Sequence, residues 1–329
     1  MNALVPFPTP TPAVTSAVGT VTEFPAGHVA RSEPLGITTG PDGALWFGEG
    51  LAPAIGRLTT GGGETDFTNG ITTTDTNPQP AFLVTGPDGN IWFTEQSANR
   101  IGRITLQGVV TEFSSGITQL PNAGVGVEGI AVGSDGNLWF TEIIGNNIGR
   151  ITTSGVITEF SLAASGTNFP TLITAGPDGN LWFTEALTSR IGRITTAGLV
   201  TEFSTGITAN SQPVGITTGP DGNLWFTEGA GDRIGRITPG GVVTEFSQGL
   251  SAGAFPNSIA AGPDGNLWFT EGTVQGSASR IGRITPAGVI TEFSAGITPQ
   301  SSLSDITAGP DGNMWFTEAT ANQIGRIVP

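Results

Sequence analysis

The sequence predicts an all-β fold, a seven-bladed β-propeller of four-stranded antiparallel blades, and three observations carry that prediction. First, GPDGNLWFTEG at Gly219 recurs unchanged at Gly262, with near-copies beginning at Gly40, Gly86, Gly133, Gly176 and Gly309. Trp46, Trp92, Trp139, Trp182, Trp225, Trp268 and Trp315 mark a period of 43 residues, with longer intervals of 46, 47 and 47. A period in the forties belongs to propeller blades or to helical repeats. Second, each unit is crowded with Gly, Thr, Val, Ile and Phe, with turn signals about every eight to twelve residues, which describes short strands and not helices. Third, the final unit stops at IGRIVP without a fourth strand, while GTVTEF at Gly19–Phe24 precedes the first unit and copies the missing piece. Pairing this N-terminal strand d with C-terminal strands a to c closes the ring and removes an exposed sheet edge.

The fifth unit shows each element in order. VGITTG from Val214 is strand a, PDGN is a tight turn, and LWFTE from Leu224 is strand b. Asp-Gly suits that turn because Gly accepts positive φ while the Asp carboxylate takes bonds from nearby amides. RIGRIT from Arg233 is strand c, PGG turns the chain, and VVTEFS from Val242 is strand d. Side chains alternate along strand b, so Trp225 is expected to pack toward one neighbouring blade and Phe226 toward the other. An aromatic side chain buries ~150 to 250 Å², so WF reads as core and not as a ligand platform.

The domain organisation is a Pro/Thr-rich linker or chain-end segment over residues 1–18, then one propeller over residues 19–329. MNALVPFPTPTPAVTSAVG lacks the basic start and unbroken apolar run of a signal peptide. Its Pro-Thr alternation reads as a linker, and such a boundary in a longer exported protein places the domain outside the cell or on its surface. There is no cysteine for disulfides or thiolate metal sites. No apolar run approaches the roughly 18 residues of a membrane span, so membrane insertion is not expected. The formal charge of −15 excludes nucleic acid as an expected partner, since counterion release needs a basic face. That acidity follows from the repeat, whose typical unit carries a turn Asp, a WFTE Glu, a TEF Glu and one IGR Arg. A monomer is expected.

Spacing locates function. Pro34 to Trp46, Pro213 to Trp225 and Leu303 to Trp315 are each 12 residues, and each IGR arginine precedes its strand d phenylalanine by 10. The a–b and c–d turns therefore hold constant length. The d–a crossover is 10 residues in five cases but 13 from Phe67 to Pro80 and 14 from Phe113 to Val127; the b–c loop is 6 except from Glu271 to Ile281, where it is 10. All variation collects on the face that carries the d–a and b–c loops. Loops on a rigid scaffold carry recognition, so a small molecule, peptide or glycan is expected near the channel mouth on that face.

The units PVGITTGPDGNLWFTE and IGRITPGGVVTEFS resemble those of the streptogramin lyase (virginiamycin B lyase) family over about residues 19–329. The resemblance implies a seven-bladed propeller that linearises a cyclic depsipeptide antibiotic by elimination, using Mg²⁺ near the channel mouth and acid-base histidines. Its motif is Glu-Pro-His-Gly-Ile-Thr on strand a, followed by a WFxE glutamate on strand b. Here the first blade reads Glu33-Pro34-Leu35-Gly36-Ile37-Thr38, with Glu49 ending strand b. The glutamates match and the histidine is leucine. The equivalents in the other blades are Ala81, Glu128, Thr171, Val214, Asn257 and Ser304, and the sole imidazole, His28, lies in the crossover before blade one.

Candidate catalytic residues by this resemblance are Glu33, Glu49 and His28, with Glu33 and Glu49 as candidate Mg²⁺ ligands. The strand b glutamates Glu49, Glu95, Glu142, Glu185, Glu228, Glu271 and Glu318 could form a carboxylate ring for a hard cation; the simpler expectation is that each pairs with the IGR arginine of its own blade. Glu33, Glu128, Asp305 and Asn257 depart from the repeat and are candidate ligand-binding residues. Intact frame residues beside missing acid-base groups favour a non-catalytic ligand-binding or scaffold propeller. The alternatives are a Mg²⁺-dependent carbon-oxygen lyase and, because units four to six are so alike, an engineered or recently amplified repeat without a ligand.

Overall fold

The computed structural model describes residues 16–25, 32–73, 79–118, 126–162, 168–272 and 279–329. Within them lie seven four-stranded antiparallel sheets, six of them built from consecutive strands. In the fifth blade strand a is Pro213–Thr218, b is Leu224–Glu228, c is Arg233–Ile237 and d is Val243–Phe246. The seventh sheet joins Val21–Pro25 to Gln323–Ile327, Met314–Glu318 and Leu303–Ala308. Val21 pairs with Ile327 and Pro25 with Gln323. The expected closure by the N-terminal strand is what the sheet topology shows.

The seam imitates an unbroken hairpin. Gly19 N–H donates to Val328 O at 2.8 Å and Val328 N–H to Thr20 O at 3.0 Å; in blade six, Gly288 to Thr285 and Thr285 to Val289 span 2.8 and 3.0 Å. Gly19 and Gly288 both sit in the left-handed region, at φ of 83° and 89°, where only glycine is unstrained. The two chain ends thus meet as the two halves of one c–d turn.

Strand b alternation builds seven similar interfaces. Trp225 packs forward with Leu267, Phe269 and Ile284 of blade six, whereas Phe226 packs backward with Trp182 and Ile191 of blade four. At the seam Trp315 meets Leu45, Phe47 and Leu58 of blade one. All seven tryptophans have no exposed surface, and each side chain of this size buries ~150 to 250 Å².

The turn aspartate, the tryptophan and the IGR arginine form one cluster. Trp225 Nε1–H donates to Asp221 Oδ1 at 3.0 Å, and Asn223 donates to Oδ2 at 2.8 Å. Arg236 lies 5.5 Å over both the Trp225 and the Phe246 rings, and those rings stack at 5.5 Å. Its Nη1 also donates to Pro286 O in the next blade at 3.1 Å. Burial works against charge on Asp221, but the donors outweigh it and hold the carboxyl below its ordinary range. Asp221→Ala would leave the buried indole N–H without its acceptor. We expect a loss of ~1 to 3 kcal/mol in urea unfolding, with an unchanged midpoint counting against the cluster.

Blade six departs from the rest, since its strand a is only Ile259–Ala261. In the other blades the a–b register slips between the first and fourth residues, as between Pro213 and Ile216. In blade six that slip falls outside the ladder: Asn257 N–H donates to Thr270 O and Thr270 N–H to Ser258 O.

Candidate functional site

The strands a surround the axis and approach one another closely. A Cβ on Gly36 would lie 2.3 Å from the Ala81 carbonyl, and one on Gly215 would lie 2.4 Å from that of Asn257. Phe82 and Leu172 occupy the matching positions in blades two and four, and their side chains line the channel. Because strand a starts from the d–a crossover, its first residues stand at the mouth on the loop-varying face. There a cavity of about 170 Å³ opens, with Leu35, Phe82, Leu172 and Val214 as its apolar wall and Gln96, Glu128, Asn257 and Ser304 as its polar wall.

Among the sequence candidates, Glu128 and Asn257 therefore share one cavity. Glu128 is half-buried and accepts a bond from Gln96 Nε2 at 2.5 Å. Burial pushes its carboxyl up to about 8, against which the Gln96 bond acts. Asn257 Nδ2 donates to Ser304 O at 2.8 Å. Asp305 lies deeper, where the channel continues past Ser258 and Ile306. It accepts from Ile37 N–H at 2.9 Å, Ser258 Oγ at 2.5 Å and Ile306 N–H at 2.9 Å. Those bonds tie blades six, seven and one together, and although they favour charge, burial raises the carboxyl above its ordinary range.

Glu33 and Glu49 have different surroundings. Glu33 holds φ of 50°, and its carbonyl accepts Gly50 N–H at 3.0 Å; Gln79, Phe169, Gln212, Phe255 and Ser302 share this left-handed conformation before strand a. Glu49 has no exposed surface. Burial first, and then the charges of Asp66 and Glu64, push it up to about 8. His28 lies outside the described residues, as do residues 74–78, 119–125 and 273–278 of the lengthened loops.

The expected pairing of strand b glutamates with IGR arginines is not what forms. Arg57 binds Asp42 at 2.6 Å, and Arg103, Arg150, Arg193, Arg236 and Arg326 likewise face turn aspartates at 3.6–3.9 Å. The reason is strand parity. Trp225 is opposite Arg236 while Glu228, three residues on, is opposite Arg233, so the glutamate and the IGR arginine lie on opposite faces of the sheet. Each strand b glutamate instead meets an acidic side chain of strand d: Glu49 with Asp66, Glu95 with Glu112, Glu142 with Glu159, Glu185 with Glu202, Glu228 with Glu245, Glu271 with Glu292 and Glu318 with Glu23. Neither oxygen of Glu228 has a donor at full hydrogen-bond geometry, although Ser211 lies near enough to favour its charged form weakly. Protonated, it can donate to Glu245. Arg233 lies 3.9 Å from Glu228 and 3.8 Å from Glu245.

The strand d carboxylates are held from outside by the crossovers. Glu245 accepts from Thr208 N–H at 2.6 Å and Oγ1 at 2.8 Å, and Glu112 does the same for Thr72 at 2.6 and 2.5 Å. A carboxylate ring on the mouth is therefore replaced by carboxyl pairs within the blades.

Magnesium takes one or two carboxylates while retaining several waters, so its ligands must reach solvent. Glu49 does not, and among the described residues no three His, Cys, Asp or Glu side chains converge. Glu49, with no exposed surface, does not fit a magnesium centre that keeps its waters. Sequence reasoning missed Gln96, Phe82 and Leu172. A signal for Gln96 was present, since it stands where the other blades carry Gly50, Ile143, Ala186, Gly229, Gly272 and Ala319.

Seven four-stranded blades around a lined axial channel define a seven-bladed β-propeller. The chain belongs to the virginiamycin B lyase family, whose model matches residues 14–168 and 164–329. A streptogramin B lyase structure is 37% identical, with 93% of this chain and 96% of that one covered at a TM-score of 0.82. A catalytically inactive histidine-to-alanine variant of virginiamycin B lyase from Staphylococcus aureus, solved with quinupristin, is 37% identical over 94% of this chain and 99% of that one, with a TM-score of 0.82. The extracellular domain of a putative hybrid two-component system from B. thetaiotaomicron shares the fold at 16% identity and a TM-score of 0.73, covering 93% of this chain and 42% of that one. No curated protein sequence matches the chain.

Proposed function

We propose that this chain is a non-catalytic member of its family, which binds a small molecule, peptide or glycan at the channel mouth on the d–a/b–c face. The observation that carries this reading is the absence of an imidazole at all seven strand a positions, Leu35, Ala81, Glu128, Thr171, Val214, Asn257 and Ser304. Elimination from an ester needs one group to remove the α-proton and another to protonate the leaving oxygen. Leucine, alanine and valine can do neither, and Glu128, the one titratable side chain at these positions, could supply only one of the two groups. The Staphylococcus aureus relative is catalytically inactive when one histidine becomes alanine, which supports tying the family's chemistry to that side chain.

A second reading, a Mg²⁺-dependent carbon-oxygen lyase, is favoured by 37% identity to a streptogramin B lyase across 93% of the chain. One assay separates the two. With a streptogramin B depsipeptide and magnesium at neutral pH, we expect no product of unchanged mass and altered retention, the signature of ring opening by elimination. Turnover that depends on magnesium and is lost in Glu49→Gln would overturn the non-catalytic reading.

A further inference from the structure

The channel mouth holds a carboxyl that the repeat does not demand. Glu128 stands where blades one and five carry Leu35 and Val214, and Gln96 stands where other blades carry glycine, alanine or isoleucine. These two departures come from adjacent blades, and they meet: Gln96 Nε2 donates to Glu128 Oε2 at 2.5 Å. Gln96 engages one oxygen of the carboxyl only, and the facing wall offers Asn257 and Ser304.

Among the described residues no cationic side chain pairs with this group. The sequence has no lysine, and Arg31 lies outside the described residues. Six of the described arginines bind turn aspartates, and Arg283 stacks on Trp268 and Phe293. Arg100, Arg190, Arg233 and Arg280 face the carboxyl pairs. The strands a that flank Glu128, Pro80–Thr85 and Pro170–Ala175, bear no ionisable side chain. Glu142 ends strand b of its own blade, and Asp305 lies deeper in the channel with three donors of its own. Burial alone raises the Glu128 carboxyl, and no charged neighbour contributes. A half-buried carboxyl with no described cation beside it is stabilised in its charged form by a cation brought by a ligand.

We propose that the channel mouth recognises a ligand with a protonated primary or secondary amine on an apolar body, with Glu128 as the anionic anchor beside Gln96. The inference rests on the channel mouth being the ligand site. Leu35, Phe82, Leu172 and Val214 would cover the apolar body, while the ammonium bonds the free oxygen of Glu128. A metal ion is the weaker occupant, since no second carboxylate joins Glu128 in the cavity lining. Docking an ammonium requires the carboxylate form, so the neutral acid releases its proton to solvent on binding.

The test is calorimetric titration of the full chain at pH 7 with hexylamine hydrochloride and, as a neutral mimic, 1-heptanol, each in phosphate and in HEPES. Hexylamine should bind at least tenfold more tightly than heptanol, and comparison of the two buffers should show close to about one proton released per amine bound. Glu128→Gln, which preserves size and the bond to Gln96, should weaken hexylamine tenfold or more and leave heptanol unchanged. Leu172→Trp, checked for an unaltered thermal midpoint, should block both probes. If both probes bind equally and Glu128→Gln changes neither, while Leu172→Trp still blocks them, the mouth stands as a ligand site and the cationic specificity falls. Absence of hexylamine binding up to about 10 mM overturns the proposal outright.

Discussion

Removal of residues 1–25 is expected to lower the thermal midpoint by ~10 °C or more and to make the chain associate in solution. The deletion strips strand d from blade seven, exposing the Gln323–Ile327 edge along its length. It also takes Phe24 from its 5.3 Å stack on Trp315 and from beneath Arg326, and removes Glu23, whose carboxylate accepts from Thr298 N–H and from Thr298 Oγ1 at 3.0 Å. Losing a stacked aromatic and a ladder together costs several kcal/mol, and each ~1 kcal/mol moves the midpoint of a domain somewhat smaller than this by about 2 to 4 °C. An unpaired edge is also a template for association. Calorimetry and light scattering on a size-exclusion column would read both effects.

A circular permutant tests the same claim from the other side. Joining Pro329 directly to Val18, with new ends opened between Pro25 and Ser32, would turn the seam into a c–d turn of the length found in blade six. It should be a monomer at least as stable as the parent chain. A permutant that fails to fold while the deletion folds normally would mean that the seam is not what closes the ring.

The second large effect concerns acidity. Burial is the leading cause that pushes Glu49, Glu95, Glu142, Glu185, Glu228 and Glu318 up to about 8 and Glu271 up to about 9, from an ordinary 4.5. Between those limits the folded chain holds protons that the unfolded chain has released. The stability these groups contribute is therefore fully present below pH 4.5 and falls as pH rises toward 8 to 9. The turn aspartates act oppositely. Asp42, Asp88, Asp135, Asp178, Asp221 and Asp311 are held below their ordinary value of 3.8, so their contribution is lost as the solution becomes more acid than that. The midpoint of unfolding should peak near about pH 4 to 5 and decline on the alkaline side.

Glu228→Gln isolates one of these groups. Its amide can donate to Glu245 at every pH, so the variant should match or exceed the parent chain at pH 8.5. Chemical unfolding between pH 5 and 8 should show a slope smaller by about one proton. An unchanged slope, or marked destabilisation at pH 8.5, would rule out a protonated Glu228.

Most of the fold was legible because every local signal agreed with the global one. The tryptophan period, the Asp-Gly turns and the displaced TEF strand each pointed to the same ring. The error over Glu49 was also legible, since Trp46 and Glu49 are three residues apart and must face opposite sides of one strand. Arg57 lies across from Trp46, and Glu49 has only Ala54 opposite it. Counting equal numbers of acids and bases concealed this geometry. The mouth was legible only in part. Glu128 and Asn257 stood out as departures from the repeat, but the contact between Glu128 and Gln96 crosses from one blade to the next, and no period within a blade encodes it. Phe82 and Leu172 were passed over because the motif comparison concerns the second residue of strand a, and they stand at the third, where blades one and five carry Gly36 and Gly215.

The seam also dictates an order of events during synthesis. Val21–Pro25 leaves the ribosome before blades one to six, whereas its hydrogen-bonding partner, Gln323–Ile327, follows all of them. Blades one to six can pair internally as they appear, whereas Phe24 has nowhere to dock until Trp315 exists. The nascent chain thus carries an orphan strand until blade seven has been made, and locking the torus is its most non-local pairing.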